Sequence, residues 1–264
     1  MIKVAVSGAL GKMGRRLVAL LAESKDMQLA AAVEAAGAPG IGKPLKAAVP
    51  EAPEAVILKD AYSGGADVVI DFSFHAASAA LASSVVRFNT PIVIGTTGFT
   101  AEEMKTIDEA SHHVPVLVAP NMSIGANVLF DVAARMAKAL GADFDIEIIE
   151  EHHRFKKDAP SGTALEAARR IAEARGLSDR DFVYGRHGEP GPRPSDQIAI
   201  HAVRAGDIVG DHTILFSCLG ERLELKHQAH TRDAFARGAL RAARFLVAEK
   251  PGKYSMKDVL TGSV

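Results

Sequence analysis

Sulfur chemistry has almost no purchase on this sequence, because it contains one cysteine, Cys218. No disulfide can close within the chain, and no cysteine-rich metal site can be assembled. Cys218 lies in the apolar run Ile214 to Leu219, where a small buried hydrophobe is its expected role. Tryptophan is absent and aromatic residues make up only 5% of the chain, so the core must be built from Ala, Val, Ile and Leu. No apolar run approaches the roughly 18 residues of a membrane helix. The opening residues Met-Ile-Lys-Val-Ala-Val-Ser-Gly do not have the layout of a signal peptide, and a cytoplasmic location is expected. A surplus of charge is missing too. With 31 basic and 32 acidic side chains the net charge is −1, which provides no global field for nucleic acid or an anionic membrane. Any preference for anions must be local.

What remains is ordinary soluble material, 48% hydrophobic and 24% charged. A chain of 264 residues suits two modest domains, at roughly 100 to 200 residues each. The first apolar run, Ile2 to Val6, empties into Gly8-Ala9-Leu10-Gly11-Lys12-Met13-Gly14, and Leu17, Val18, Leu20 and Leu21 follow at helical spacing. This is strand, glycine turn, helix. Amides at such a helix start can approach a pyrophosphate with no side chain in the way. The turn has one residue more between its first two glycines than Gly-x-Gly-x-x-Gly, so alone it leaves a dinucleotide turn and a plain tight turn open.

The context favours the dinucleotide. A second apolar run, Leu29 to Val33, ends at Glu34, about 20 residues beyond the turn, where dinucleotide folds place an acidic partner for the adenosine ribose. Ala35 offers no cation for a 2'-phosphate, although Lys12 in the turn is a possible one. NADH is therefore the favoured cofactor, with NADPH the alternative. Gly37 to Pro53 reads as an uninformative loop. Val68 to Phe72, Pro91 to Ile94 and Val114 to Ala119 are runs suited to strands buried on both faces, as in a parallel sheet. Ala76 to Phe88 is a helix candidate, and another starts near Glu102, with Thr100 and Glu103 at capping-box spacing. The fold class is α/β, with a Rossmann-like doubly wound sheet whose strand carboxyl ends form a ligand-binding rim. Topology puts Gly8, Ala9, Leu10, Gly11, Lys12, Met13, Glu34, Gly95, Thr96, Thr97, Ala119, Pro120, Asn121 and Met122 on that rim as candidate cofactor contacts. For Gly95 to Thr97 and Ala119 to Met122 the pattern equally permits connecting turns. His112 and His113 read as solvated loop residues.

After Ser123 the pattern changes. A helix from about Gly125 to Leu140 leads to a strand at Asp145 to Ile149, a charged loop, and a helix from Ser161 to Arg175. Gln197 to Arg204, His212 to Cys218 and Arg222 to His227 follow, separated by glycine turns, and read as an antiparallel meander. The second domain is thus expected to be α+β with a mostly antiparallel sheet. Asp233 to Ala248 is an amphipathic helix that can return to the first domain. The expected boundaries are 1–123 with 233–264 for dinucleotide binding, and 124–232 for substrate binding and oligomerisation.

The densest chemistry lies in Glu150 to Thr163, Glu-Glu-His-His-Arg-Phe-Lys-Lys-Asp-Ala-Pro-Ser-Gly-Thr. Three readings compete. An imidazole with an ordinary pKa of about 6.5 suits proton transfer at neutral pH, and neighbouring cations would hold a carboxylate-bearing substrate beside it. A metal site draws on the histidines with Glu150 and Glu151, but Arg and Lys next door repel a cation and no His-x-x-x-His spacing accompanies them, so no metal is expected. A solvated basic loop is the default for such a run. The following Pro160-Ser161-Gly162-Thr163 tips the balance, because it starts a helix whose first amides Gly162 leaves uncovered, with Thr163 and Glu166 at capping-box spacing. A carboxylate would be gripped by those amides and by Lys156. If the chain is extended from 152 to 156, His152, Arg154 and Lys156 share one side and His153 the other.

The run Glu-x-His-His-x-x-Lys-x-Asp-Ala-Pro-Ser-Gly-Thr-Ala, Glu150 to Ala164, together with Gly-Ala-x-Gly-Lys-Met-Gly and Gly-Thr-Thr-Gly, closely resembles the 4-hydroxy-tetrahydrodipicolinate reductase family. The resemblance spans the full length. It implies reduction of a small cyclic dicarboxylate to tetrahydrodipicolinate with NADH or NADPH, in the route to diaminopimelate and lysine, by a homotetramer. It also implies that His152 is the proton donor and Lys156 its partner, and that His153, Gly162 and Thr163, with Ser161 in the same turn, bind the substrate. The cofactor contacts would be those of the rim. Ala35 departs from members that carry Arg there, and Lys157 is a second cation beside the functional one. Two other readings compete: a different two-domain NAD(P)-dependent dehydrogenase, such as one acting on a semialdehyde through a nucleophilic cysteine, for which Cys218 is poorly placed, and a non-catalytic NAD-sensing regulator.

Overall fold

Strands buried on both faces organise the first half of the chain. In the computed structural model, which describes residues 1–262, the order is β1 (Ile2–Ser7), α1 (Lys12–Ala22), β2 (Met27–Val33), β3 (Leu58–Lys59), β4 (Val68–Asp71), α2 (His75–Val85), β5 (Ile92–Ile94), α3 (Ala101–Ser111) and β6 (Pro115–Val118). Next come α4 (Ile124–Leu140), β7 (Asp145–His152), α5 (Gly162–Arg175), β8 (Phe182–Tyr184), β9 (Ile198–Arg204), β10 (Asp211–Cys218) and β11 (Glu221–Gln228). The chain ends in α6 (Asp233–Leu246), β12 (Gly252–Tyr254) and α7 (Met256–Thr261). It divides into two compact units, Met1–Ile124 with Arg232–Val264, and Gly125–Thr231. Residues 263 and 264, assigned above to the first domain, lie outside the described residues.

The first unit holds a seven-stranded sheet in the order β12-β6-β5-β4-β1-β2-β3, with every pairing parallel. The order reverses between β1 and β4, and that is where a doubly wound sheet opens a crevice for a ligand. Both faces are covered. One carries α1, α6 and α7 over a cluster that includes Val4, Leu17, Ile70, Leu117 and Leu246; the other carries α2 and α3 over Val69, Val85, Ile92, Ile107 and Val116. Ile70, Ile92, Ile94 and Leu117 are under 2% exposed, and burying such a side chain contributes about 1.5–3 kcal/mol. Helix α6 meets the sheet through small residues. A Cβ on Gly238 would sit 1.7 Å from the Met122 carbonyl oxygen, so the approach of backbone to backbone requires glycine there. The stretch from Gly37 to Pro53 differs from the expected featureless loop. It contains a short 3-10 turn, Leu45–Ala47, and sinks Leu45, Val49 and Ala52 into the core.

The second unit has a five-stranded sheet in the order β11-β10-β7-β9-β8, and this corrects the expected meander. Strands β10 and β11 form the antiparallel hairpin, but β7 inserts between β10 and β9, antiparallel to the first and parallel to the second. With β8 parallel to β9, the sheet is mixed rather than mostly antiparallel. Alternation reveals which face of a strand is buried but not which neighbour it chooses. Ile146, Ile148, Ile198, Ile200, Ile214 and Phe216 face the α4 and α5 residues Leu129, Phe130, Ala133, Ala168 and Ile171. Cys218 ends β10 beside the hairpin turn, opposite Glu221, and is half-buried there rather than buried as expected.

Candidate active site

The rim of the first sheet is built by strands that end in small residues. After β1, the amides of Gly8 and Ala9 donate to the Val33 carbonyl at 3.0 and 3.1 Å, and the Leu10 amide donates to Glu34 Oε2 at 2.9 Å. Glu34 also accepts from the Ala35 amide through Oε1 at 3.0 Å. The glycine turn is therefore strapped to the end of β2. A carboxylate has about four lone-pair sites, which leaves Glu34 acceptor capacity for a ribose hydroxyl. Gly11 is the N-cap of α1 and provides no side-chain acceptor, so the first amides of the helix are left for an anion. Gly14 must be glycine, since a Cβ would lie 2.1 Å from the Gly8 carbonyl oxygen. These features fit a dinucleotide pyrophosphate and ribose.

The rest of the rim is more structural than its sequence suggests. Thr96 is buried and donates to Asp71 Oδ2 at 2.9 Å, where Ser78 also donates, while Ser73 donates to Oδ1 at 2.7 Å. Gly95 packs against the Phe72 ring, Ala119 and Met122 are core residues, and Asn121 Oδ1 accepts from the Ser123 amide at 2.8 Å. Thr97, Gly98 and Pro120 are exposed. His112 and His113 are exposed near Glu109.

In the second unit the site is centred on Glu150, which is fully buried near the end of β7. Period-2 alternation puts Glu150 and His152 on the same, covered face as Ile146 and Ile148. Oε2 of Glu150 accepts from His152 Nδ1 at 2.6 Å and from Arg204 Nη1 at 2.8 Å; Oε1 accepts from Arg204 Nη2 at 2.7 Å and from the Ser161 amide at 3.0 Å. Burial alone would raise this carboxyl, but the His152 and Arg204 hydrogen bonds outweigh it and hold it down at about 2. The ionised carboxylate only accepts, so His152 carries a proton on Nδ1.

The chain is not extended beyond His152. It turns at once, with the Arg154 amide donating to the Gly206 carbonyl and the Lys156 amide to the His153 carbonyl, each at 3.1 Å. The two-sided arrangement expected for 152 to 156 is therefore replaced by a bend that begins at His153. The imidazole Nδ1 of His153 is buried and meets no hydrogen-bond partner among the described residues. Lys156 Nζ donates to Asp158 Oδ2 at 2.7 Å, and Arg204 reaches the Asp158 carbonyl at 2.7 Å. Arg204 thus ties the Lys156 loop to the Glu150–His152 pair. Lys157 is exposed.

Helix α5 begins two residues earlier than a Thr163 cap would place it. Its N-cap is Ser161, whose Oγ accepts from the Ala164 amide at 3.1 Å and lies 2.9 Å from His212 Nε2. Thr163 is already helical, so the Thr163–Glu166 capping box does not form. Ser161 is 2% exposed, with its amide and hydroxyl both engaged inside the protein. Gly162, by contrast, is exposed, with nothing within 4 Å of where a Cβ would stand.

Three participants were missed in the sequence. Arg204 ends β9, and only the parallel β7–β9 pairing brings it opposite His152. His212 opposes Glu150 from β10 and stacks edge-on against His152, with ring centroids 5.2 Å apart. Burial, then the neighbouring His152 charge, push its pKa down to about 3. Gly210 abuts His152 Nε2. Of these, Gly210 alone left a signal, as a turn glycine.

The chain resembles known proteins along its whole length. Residues 2–122 match the family described as dihydrodipicolinate reductase, N-terminus, and residues 125–260 match its C-terminus. A 4-hydroxy-tetrahydrodipicolinate reductase from Syntrophus aciditrophicus (strain SB) is 47% identical over 264 residues, covering 98% of each chain. One from Anaeromyxobacter dehalogenans (strain 2CP-1 / ATCC BAA-258) is 45% identical over the same span. The solved structure of a dipicolinate-bound dihydrodipicolinate reductase from Paenisporosarcina sp. TG-14 superposes with a TM-score of 0.75 at 29% identity, covering 97% of both chains.

Proposed function

The chain belongs to the dihydrodipicolinate reductase family, and from that premise we propose how its residues divide the work, with His152 as the proton source. The reaction is the reduction of 4-hydroxy-tetrahydrodipicolinate with a nicotinamide cofactor, a step of diaminopimelate and lysine biosynthesis. The nicotinamide, when bound, supplies the hydride. A ring carbon next to the one reduced then carries electron density and needs a proton, which His152 gives from Nε2. Lys156, His153 and the α5 start at Gly162 and Thr163 hold the substrate carboxylates. The buried Nδ1 of His153, which meets no partner among the described residues, supports that role, because a polar atom left so costs free energy until something meets it.

One observation carries the assignment of His152: its Nδ1 is bound to a buried carboxylate, which is how an acid–base imidazole is oriented. The test is turnover. His152→Gln and Lys156→Ala are each expected to lower kcat by a factor on the order of 100 or more, with NADH binding nearly unchanged. Near-normal kcat in both variants would overturn the reading.

For the cofactor we propose NADH over NADPH. Glu34 presents acceptors to a ribose diol, and Ala35 presents no cation to a phosphate. Ala35→Arg should raise the ratio of kcat/KM for NADPH to that for NADH. An unchanged ratio would remove the rationale.

A further inference from the structure

The two ring nitrogens of His152 are treated differently by the fold. On the Nδ1 side stands Glu150, fully buried and held at both oxygens by Arg204, with the Ser161 amide as a further donor to Oε1. A carboxylate gripped in this way cannot swing aside or exchange partners without stranding a partly buried guanidinium contact and a buried amide. On the Nε2 side stands Gly210. A Cβ there would lie 3.0 Å from Nε2 and 3.4 Å from Cδ2, close enough to crowd that edge of the ring. Gly210 is not among the residues with positive φ, so the backbone conformation itself does not call for glycine. Clearance for His152 does.

We propose that Glu150, anchored by Arg204, is the positioning residue that makes Nε2 the working nitrogen of His152, and that Gly210 keeps that nitrogen reachable. The inference rests on the reading of His152 as proton donor. In the imidazolium both nitrogens carry hydrogen. When the Nε2–H proton passes to the substrate carbon, its bonding pair stays on Nε2 and the carbon's electron pair forms the new C–H bond. The neutral ring left behind has its hydrogen on Nδ1, which is the tautomer that a carboxylate at Nδ1 stabilises. Solvent then returns a proton to Nε2. A glutamine at 150 reverses this preference. Its single oxygen is claimed by the Ser161 amide, which turns the NH2 toward His152 Nδ1 and Arg204. Donor then faces donor, the neutral ring keeps its hydrogen on Nε2, and proton release from that atom is opposed.

The experiment is nitrogen NMR of the 15N-histidine-labelled protein, at a pH where the ring is neutral, combined with steady-state kinetics. The His152 resonances are assigned by their absence in His152→Gln. Wild type should show the Nδ1–H tautomer, Glu150→Gln the Nε2–H tautomer, and kcat of Glu150→Gln should fall on the order of 100-fold or more with KM for NADH unchanged. Gly210→Ala should lower kcat while leaving the Nδ1–H tautomer in place. An Nε2–H tautomer in wild type overturns the proposal whether or not Glu150→Gln folds. So does a Glu150→Gln variant that keeps both Nδ1–H and near-normal turnover while His152→Gln is inactive. If His152→Gln itself turns over normally, the proton-donor reading fails and this inference falls with it.

Discussion

At the scale of single residues, the second unit concentrates opposing charges and neutral imidazoles in a space that water barely enters. His212 is 4% exposed, lies 2.9 Å from Ser161 Oγ and opposes Glu150 across β7 and β10. Burial, with the His152 charge, lowers its pKa from 6.5 to about 3, so it stays neutral in the fold at pH values where the unfolded chain would protonate it. The unfolded state then binds more protons than the folded state between about 3 and 6.5, and stability must rise with pH across that window. Put the other way, it is lost as pH falls from 6.5, by about 1.4 kcal/mol per pH unit for each proton involved. His227, lowered by burial, adds in the same direction. Glu150, held at about 2 against an ordinary 4.5, acts with the same sign at lower pH. Thermal unfolding of wild type should therefore show a falling midpoint as pH drops below about 6.5, and His212→Gln should flatten that slope even if it lowers the midpoint overall. An identical slope in the variant would show that His212 does not titrate in this way.

At the scale of elements, the helix starts divide by purpose. Helix α3 is closed by a full capping box, Thr100 with Glu103, and α5 by Ser161. Helix α1 has Gly11 and no side-chain cap. Thr100→Ala should cost about 1 kcal/mol of stability and leave NADH binding intact. Gly14→Ala should instead abolish NADH binding or folding, since its Cβ would strike backbone that cannot yield, the Gly8 carbonyl at 2.1 Å. Calorimetry and NADH titration read the two; normal NADH affinity in Gly14→Ala would contradict the turn's role. Much of this layer was legible in the sequence. The glycine turn, the buried parallel strands and the α3 capping box each announce themselves within a few residues. Strands β3, β8 and β12 do not, because two or three residues at a sheet edge carry no period. The helix start at Ser161 was legible, but the Thr163–Glu166 spacing suggests a capping box that does not form, because Thr163 already lies inside the helix. The insertion of β7 beside β9 is a long-range choice of partner, and with it Arg204 stayed hidden.

At the scale of the whole molecule, two units take up three stretches of chain, and the C-terminal stretch returns to the first unit as α6. The first carries a rim suited to a dinucleotide, and the second carries a buried carboxylate hub that holds an imidazole, a lysine loop and a helix start in fixed relation. Among the described residues no three His, Cys, Asp or Glu side chains group as a metal site requires. Membership of the reductase family fixes the reaction, and the hub supplies the reason that one histidine is the proposed acid. That pairing is tested most directly by following NADH oxidation on addition of freshly generated 4-hydroxy-tetrahydrodipicolinate, with wild type and His152→Gln side by side. Substrate-dependent oxidation by wild type, reduced on the order of 100-fold in the variant at equal NADH occupancy, is the predicted result. Equal rates in the two proteins, or no substrate-dependent oxidation by wild type with either nicotinamide cofactor, would contradict it.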